Sequence, residues 1–250
     1  MQRKTLFVYE LKKQQDTPLF HLILKGWPQR FIPGQFVMLR PRAWEFDPLW
    51  PRPFSICTWE GDLLHLFIQV VGRGTARLSA LTKGDAVECW GPLGNGFPEV
   101  SKPLLILSGG MGIAPFISLL RTKTNQPVRL IFGHRLDLSC YPWEMIPDHV
   151  DKRSFCQQSE QDLKEFELRL RDEIWQFKDK GLIFACGPRP FLEVVHKYGL
   201  ESQAKVYLSL ENKMACGIGA CLGCVAKTKT GFVQTCTHGP VFEAATLEEF

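Results

Sequence analysis

Four cysteines crowd one glycine-rich stretch near the end of the chain: Cys216-Gly-Ile-Gly-Ala-Cys221-Leu-Gly-Cys224, then eleven residues, then Cys236. So many thiols in one loop must wrap a common centre, which restricts what the rest of the chain can fold into. The spacing C-x4-C-x2-C with a later fourth cysteine is that of loops holding a plant-type [2Fe–2S] cluster. Wrapping a cluster needs tight turns and backbone N–H groups aimed at sulfur. Gly217, Gly219 and Gly223 reach such dihedrals without a Cβ clash. The rival is structural zinc, which favours two short cysteine pairs separated by a longer gap. Three ligands within nine residues fit the cluster better.

The other five cysteines (Cys57, Cys89, Cys140, Cys156 and Cys186) are scattered, mostly in apolar runs, like small buried hydrophobes. That usage favours a reducing cytoplasm over an oxidising compartment. At 250 residues the chain has room for one large domain or two modest ones with an appendage. Its 45% hydrophobic and 22% charged residues are ordinary for a globular protein. The net charge of +4 comes without a basic tract, which argues against a nucleic-acid partner. The opening MQRKTLFVYELKK reads as a strand rather than a secretory signal. From Pro103 to Leu120 there is no charge, a length that approaches a membrane span. Gly109, Gly110, Gly112 and Pro115 interrupt it, so a buried strand, a glycine turn and a helix explain it better.

Residues 1–99 read as a small antiparallel barrel. Short apolar or alternating runs recur at Thr5–Leu11, Phe20–Lys25, Gln35–Arg40, Phe54–Thr58, Leu63–Val71 and Ala86–Trp90, with Pro and Gly between them. A helical turn or two fits Ala76–Leu81. Residues 100–210 change period. Leu104–Ser108, Val128–Phe132, Leu182–Ala185 and Val206–Leu210 read as buried strands. A helix follows Gly109–Gly112 to about Arg121, and Gln161–Lys178 and Pro190–Tyr198 carry helical spacing. Alternating strand and helix predict a doubly wound parallel sheet, an α/β domain. Residues 211–250 hold the cysteine loop, a hairpin turning near Lys229-Thr230-Gly231 and an acidic tail.

Three further stretches carry chemistry. Arg52-Pro53-Phe54-Ser55 enters a strand, and Gly72-Arg73-Gly74-Thr75 follows about twenty residues later. A guanidinium and a Gly-Thr turn can both hold phosphate oxygens, although a surface cation and an ordinary hairpin turn would look the same. Phe67, Ile68 and Gln69, near the end of the run before that turn, are grouped with them as cofactor-binding candidates. Gly109-Gly110-Met111-Gly112 sits between a buried strand and a helix, where glycines admit a pyrophosphate or simply allow tight packing. Cys186-Gly187-Pro188 ends another buried strand, where such sheets line their ligand crevice; Cys186 as core filler is the alternative.

In this order the pieces resemble the ferredoxin–NADP reductase superfamily, a flavin-binding barrel followed by a nicotinamide-binding domain. The Arg-x-aromatic-Ser motif matches Arg52, Phe54 and Ser55, the glycine turn matches Gly109–Pro115, and Cys-Gly-Pro matches Cys186–Pro188. Within it the whole chain resembles the electron-transfer subunits of dihydroorotate dehydrogenase B, most specifically at Val71–Thr75, Gly91–Phe97, Glu211–Cys224 and Cys236–Phe242. The resemblance implies FAD, with Arg52 on flavin phosphate, Phe54 against the isoalloxazine and Ser55 near flavin N5. It also implies NAD and one [2Fe–2S] cluster on Cys216, Cys221, Cys224 and Cys236. The implied partner is an FMN-containing dihydroorotate dehydrogenase catalytic subunit, in a heterotetramer of pyrimidine biosynthesis. A related reductase subunit serving ferredoxin or a sulfur compound, and a zinc-stapled binding module, stay open.

The gap before Cys236 is far shorter than in an ordinary plant-type ferredoxin, so the cluster is expected on a small excursion. Asp137, five residues past Val128–Phe132, is a candidate acceptor for a ribose 2′-hydroxyl or a helix-start acid. Of six scattered histidines only His238, close behind Cys236, is a candidate for a bond near the cluster. No Ser/His/Asp set is visible. The aromatic loop Ala43–Trp50 reads either as a cover for the barrel or as interface anchors.

Overall fold

In the computed structural model, which describes residues 2–14, 16–122 and 126–248, the chain opens with seven strands. They are β1 (Gln2–Lys13), β2 (Leu19–Lys25), β3 (Phe36–Pro41), β4 (Arg52–Ser55), β5 (Thr58–Glu60), β6 (Leu63–Gln69) and β7 (Ala86–Leu93). All pair antiparallel, in the order β4-β3-β7-β1-β2-β6-β5. The edge strands β4 and β5 are consecutive in the chain. Ile56 N donates to Gln35 O and Cys57 N donates to His65 O, both at 3.1 Å, so the backbone leaves β3 and joins β6 within two residues. That step curls the sheet on itself, and it splits the single run expected at Phe54–Thr58. Leu6, Leu22, Val37, Leu39, Leu64 and Val87 fill the interior. Helix α1 (Arg73–Leu78) starts three residues earlier than expected and is anchored by Leu78 in that interior.

The second sheet is built from β8 (Leu104–Gly109), β9 (Val128–His134), β10 (Asp151–Cys156), β11 (Leu182–Cys186) and β12 (Val206–Ser209), in the order β10-β9-β8-β11-β12 and all parallel. Its central strands are continuous apolar runs because both faces are covered. Leu104 and Ile106 pack with Ile113, Phe116 and Ile117; Leu105 and Leu107 pack with helices α3 (Glu160–Phe177) and α4 (Arg189–Ser202). β10 escapes a reading by hydrophobicity: as the edge strand it is polar, DKRSFC, with no residue fully buried. After Gly109 the expected helix is mostly a 3-10 turn, Gly110–Phe116, followed by a short α2 (Ile117–Arg121). Pro115 lacks the N–H that an α-helical bond would need there. α3 begins at a capping box in which Ser159 Oγ accepts from Asp162 N at 3.1 Å and Asp162 accepts from Ser159 N at 2.8 Å.

The cysteine loop and its hairpin, β13 (Val225–Thr228) and β14 (Gly231–Gln234), form an excursion from the sheet. The chain then passes through α5 (Thr235–His238) and returns as β15 (Val241–Glu243), antiparallel to β12. Barrel and sheet share a core: Phe97 stacks on Phe184 at 4.6 Å, Ser118 N donates to Cys57 O at 3.1 Å, and Arg121 pairs with Glu60. Among the described residues no helix is long and apolar enough to cross a membrane.

Glu88 in β7 ties the barrel wall together. Its carboxylate is buried and accepts from Arg3 Nε at 2.8 Å, Arg42 Nε at 2.7 Å and Thr5 Oγ1 at 3.2 Å. Burial alone would raise its pKa, but the bonds from Arg3 and Arg42 outweigh that and hold it below the usual carboxylate range. A depressed folded pKa stabilises the fold above the unfolded value and is lost as pH falls through the folded value. Glu88→Gln should therefore lower unfolding free energy at pH 7 by on the order of 1–2 kcal/mol, limited because both guanidiniums are well exposed. In urea titrations the gap should close as pH drops below about 4. A gap independent of pH would refute this account.

Candidate functional site

A cleft of about 1300 Å³ lies between the edge of the barrel and the C-terminal ends of the parallel strands. The barrel contributes Arg52, Pro53, Phe54 and Ser55 from β4, Phe67, Ile68 and Gln69 from β6, and Thr75 from α1. The sheet contributes Gly109, Gly110 and Gly112 after β8, and Cys186, Gly187 and Pro188 after β11. Sixteen residues were candidates for cofactor binding on sequence grounds, and these fourteen line one cavity. Gly74 lies just behind Arg52: a Cβ there would sit 2.7 Å from Arg52 Nε. Arg52 Nη1 donates to Trp50 O at 2.8 Å and Pro51 O at 3.2 Å, which holds the guanidinium at the cleft wall.

Asp137 is not brought to the cleft. It is exposed, and its carboxylate accepts from Ser139 Oγ at 2.6 Å and Ser139 N at 2.9 Å, bonds that lower its pKa. It caps a 3-10 turn, Leu138–Cys140, as a helix-start acid does. Thr75 is similarly occupied: its hydroxyl accepts from Val71 N at 2.9 Å and Gly72 N at 3.2 Å and donates to Gly72 O at 3.0 Å. Its part is to shape the turn beside Arg52. Gly112 is demanded by packing, since a Cβ there would lie 2.2 Å from Cys186 O. Of the three glycines after β8, Gly110 alone faces open space, with φ +52.

Burial pushes the Cys186 thiol up to about 12, so it stays protonated. Phe67 is backed by His21, stacked on it at 4.2 Å; burial and then the neighbouring His65 push His21 down to about 3, so that ring stays neutral. Several lining residues carried no readable signal as cleft residues: Phe36, His134, Arg135, Tyr141 and Gln157, while the run Glu211–Met214 stood out only as the approach to the cysteine loop. Glu211 projects into the cleft, where desolvation raises its pKa. Only the tertiary fold makes these neighbours, since each looks like a strand or linker residue in sequence.

Beyond Met214 the chain enters the cysteine loop. Ile218 N and Cys221 N point at Cys216 Sγ at 3.4 Å, and Gly219 N points at Cys236 Sγ at 3.1 Å. Gly217 and Gly219 adopt φ +72 and +82; Gly223 does not need the left-handed region, while Leu222 enters it at +54. Cys224 and Cys236 lie together in a small buried core, while Cys221 is exposed and its N–H points at half-exposed Cys216. Amides led by that of Cys216 pull the Cys221 thiol down to about 7, and burial pushes Cys236 up to about 12. Among the described residues no three Cys, His, Asp or Glu side chains converge as ligands of a single metal ion. Four cysteines in C-x4-C-x2-C spacing with a later fourth are the donor set of a [2Fe–2S] cluster.

The turn carrying Cys236 is clamped by the barrel. Asn95 Nδ2 donates to His238 O at 2.9 Å and Thr237 O at 3.2 Å, and Asn95 N donates to Gly239 O at 2.6 Å. The His238 ring reaches Thr237 Oγ1 at 3.1 Å and no sulfur, so His238 contributes through its carbonyl. The aromatic loop divides: Trp44 is buried against the barrel, whereas Phe46, Leu49 and Trp50 are exposed.

Residues 211–248 match the family described as the iron-sulfur cluster binding domain of dihydroorotate dehydrogenase B. The chain is 34% identical to the dihydroorotate dehydrogenase B (NAD(+)) electron transfer subunit of Clostridium acetobutylicum, over 96% of this chain and 95% of that one. It is 32% identical to the same subunit of Bacillus velezensis, over 90% and 91%. Among solved structures, an NADH-dependent reduced ferredoxin–NADP oxidoreductase superposes with a TM-score of 0.79 at 19% identity, over 98% of this chain and 90% of that one. Plasmodium falciparum ferredoxin–NADP+ reductase superposes at 0.66 and 16%, over 83% and 95%. These two likenesses establish a shared fold.

Gly217 rests on Met38 of β3: a Cβ would lie 2.6 Å from Met38 Cγ, and φ is +72. Gly217→Ala should weaken closure of the loop by about 1–3 kcal/mol, from left-handed strain and overlap with a buried side chain. Iron and acid-labile sulfide per chain should fall, while the barrel's thermal unfolding stays near wild type. Full iron content in the variant would remove the Met38 contact from the account.

Proposed function

The chain belongs to the family of dihydroorotate dehydrogenase B electron transfer subunits, and we propose that it carries electrons between NAD and an FMN-bearing dihydroorotate dehydrogenase subunit. The observation that carries this reading is the position of the four cysteines: Cys224 and Cys236 are buried with Phe36, which lines the cleft, and the exposed side of the loop meets solvent. Bound FAD would exchange hydride with the nicotinamide and single electrons with a [2Fe–2S] cluster.

We assign residues 1–99 to FAD binding, 100–210 to NAD binding and 211–250 to the cluster. Arg52, kept in place by two carbonyls, supplies a fixed positive charge for flavin phosphate. Phe54, Ser55 and Phe67–Gln69 form the barrel-side wall for the flavin ring, with Gly74 leaving room for the guanidinium. Gly109, Gly110 and Gly112 and the Cys186–Pro188 turn bring two strand ends together as a floor for the nicotinamide dinucleotide. Cys186, protonated, closes that floor to water. Cys216, Cys221, Cys224 and Cys236 would hold the cluster. Ile218 and Leu222, exposed beside the outer pair, offer an apolar contact for the partner. A cytoplasmic location is part of this reading: the scattered cysteines, free among the described residues, suit a reducing compartment.

Arg52→Ala should loosen FAD by about 1.5–3 kcal/mol, roughly ten- to hundred-fold in affinity, as for a charge-assisted contact. Flavin retention on gel filtration and fluorescence titration measure it; unchanged affinity would remove Arg52 from the site. Purified anaerobically, the chain should carry iron and labile sulfide in equal amounts and pass electrons from NADH to an artificial acceptor. It should not reduce NAD with dihydroorotate until the FMN-bearing subunit is added. Stoichiometric zinc without iron, or dihydroorotate oxidation by the chain alone, would overturn the proposal.

A further inference from the structure

The wall between the cleft and the cysteine loop is one side chain thick. Phe36, Met38, Leu93, Cys224 and Cys236 form a small buried core, with Trp90 and Met214 packed against it. Of these seven residues only Phe36 and Met214 also line the cleft. Phe36 is cross-strand partner to Ser55, so both side chains leave the same face of the β3–β4 pair, and Ser55 lines the cleft. The Phe36 ring has no slack: it is 3% exposed, and a Cβ on Gly94 would lie 2.9 Å from its Cε1. Met214 stands two residues before Cys216, at the end of the Glu211–Met214 run along the cleft.

We infer that Phe36 and Met214 are the positioning residues of the one-electron step, a dry layer through which electrons pass between the flavin cleft and the Cys224/Cys236 side of the cluster. The inference rests on the function proposed above. Electronic coupling falls steeply with distance and falls faster across gaps than across packed atoms. An aromatic ring and a flexible thioether fill an irregular gap well. The layer also keeps water from the buried sulfurs, and solvent access is one of the levers on a cluster's potential. The step moves an electron and no atom. For each hydride taken from the nicotinamide, two electrons cross in turn, each reducing one ferric iron, and the hydride's proton is released to solvent. A one-electron acceptor outside the loop clears the cluster between crossings.

The test uses the full chain loaded with FAD and cluster, comparing wild type with Phe36→Ala, Met214→Ala and the volume-conserving Phe36→Leu and Met214→Leu. NADH is mixed by stopped flow; flavin bleaching reports the hydride step, and reduced-cluster EPR after freeze-quench reports the crossing. The alanine variants should slow the crossing at least about tenfold, the scale on which outer-shell changes act, and slow it by more than they slow flavin bleaching. EPR-monitored titration should show the cluster potential raised, because water admitted to the buried side favours the more negative reduced form. The leucine variants should fall between, and Phe232→Ala on the exposed hairpin should match wild type. Loaded variants with wild-type crossing rate and potential would overturn the inference alone, as would equal slowing of both steps. A wild-type chain that carries no iron and sulfide would overturn the underlying function instead.

Discussion

Strand β3 is buried on both faces, and the two halves of the molecule's chemistry depend on that. Its side chains alternate with period two. Val37 and Leu39 point into the barrel core, while Phe36 and Met38 point to the cysteine loop. A strand at the rim of a curled sheet would ordinarily show one face to water. Here the outer face is covered by Gly217, Cys224 and Cys236, so the sequence FVML is apolar without interruption. The barrel therefore does more than hold a ligand in its edge. It is the platform on which the cluster segment is laid, and the flavin cleft and the cysteines become neighbours because they share that strand.

Holding an excursion of thirty residues against one strand needs ties at both ends. At its start, Asn212 Nδ2 donates to Thr235 Oγ1 at 2.8 Å and Val225 O at 3.0 Å, closing the segment on itself. At its end, Asn95 binds the Cys236 turn, and β15 re-enters the parallel sheet beside β12. The Gly91–Phe97 stretch, conspicuous in sequence without an obvious task, thus acts as a clamp. Gly94 must lack a side chain because Gly239 O and Pro240 would meet its Cβ at 2.6 Å. Three parts of the chain, far apart in sequence, converge on one sulfur-bearing turn.

Periodicity made most of this architecture legible, since the buried strands of an α/β sheet and the spacing of α3 and α4 are written in apolar residues. What stayed illegible has physical reasons. β10 pairs along one edge only, so its polar sequence carries no burial pattern. The Phe54–Thr58 run is continuous in hydrophobicity, and only hydrogen-bond partners reveal that it changes strands at Ile56. At the site, residue type and order picked out Arg52–Ser55 and Cys186–Pro188. They could not tell a carboxylate facing ligand from one capping a turn, and Asp137 proved to be the latter. Nor could they find Phe36 or Glu211, whose places depend on which elements fold together. Gly109 and Gly112 were conspicuous for a phosphate role, yet their tightest constraint is the approach of one strand end to another.

The unequal surroundings of the two sulfur pairs bear on direction. Cys224 and Cys236 are buried beside Phe36, while Cys221 is exposed and Cys216 half-exposed. A four-thiolate cluster becomes more negative on reduction, and added negative charge is cheapest where water and amide dipoles can answer it. The outer pair has both: solvent, and the N–H groups of Ile218 and Cys221 on Cys216. With a cluster held by these four cysteines, added negative charge would be better answered on the side of Cys216 and Cys221, next to exposed Ile218 and Leu222. The face of the loop that packs on Phe36 is thus the dry one, and the face that carries Cys216 and Cys221 is the one open to solvent.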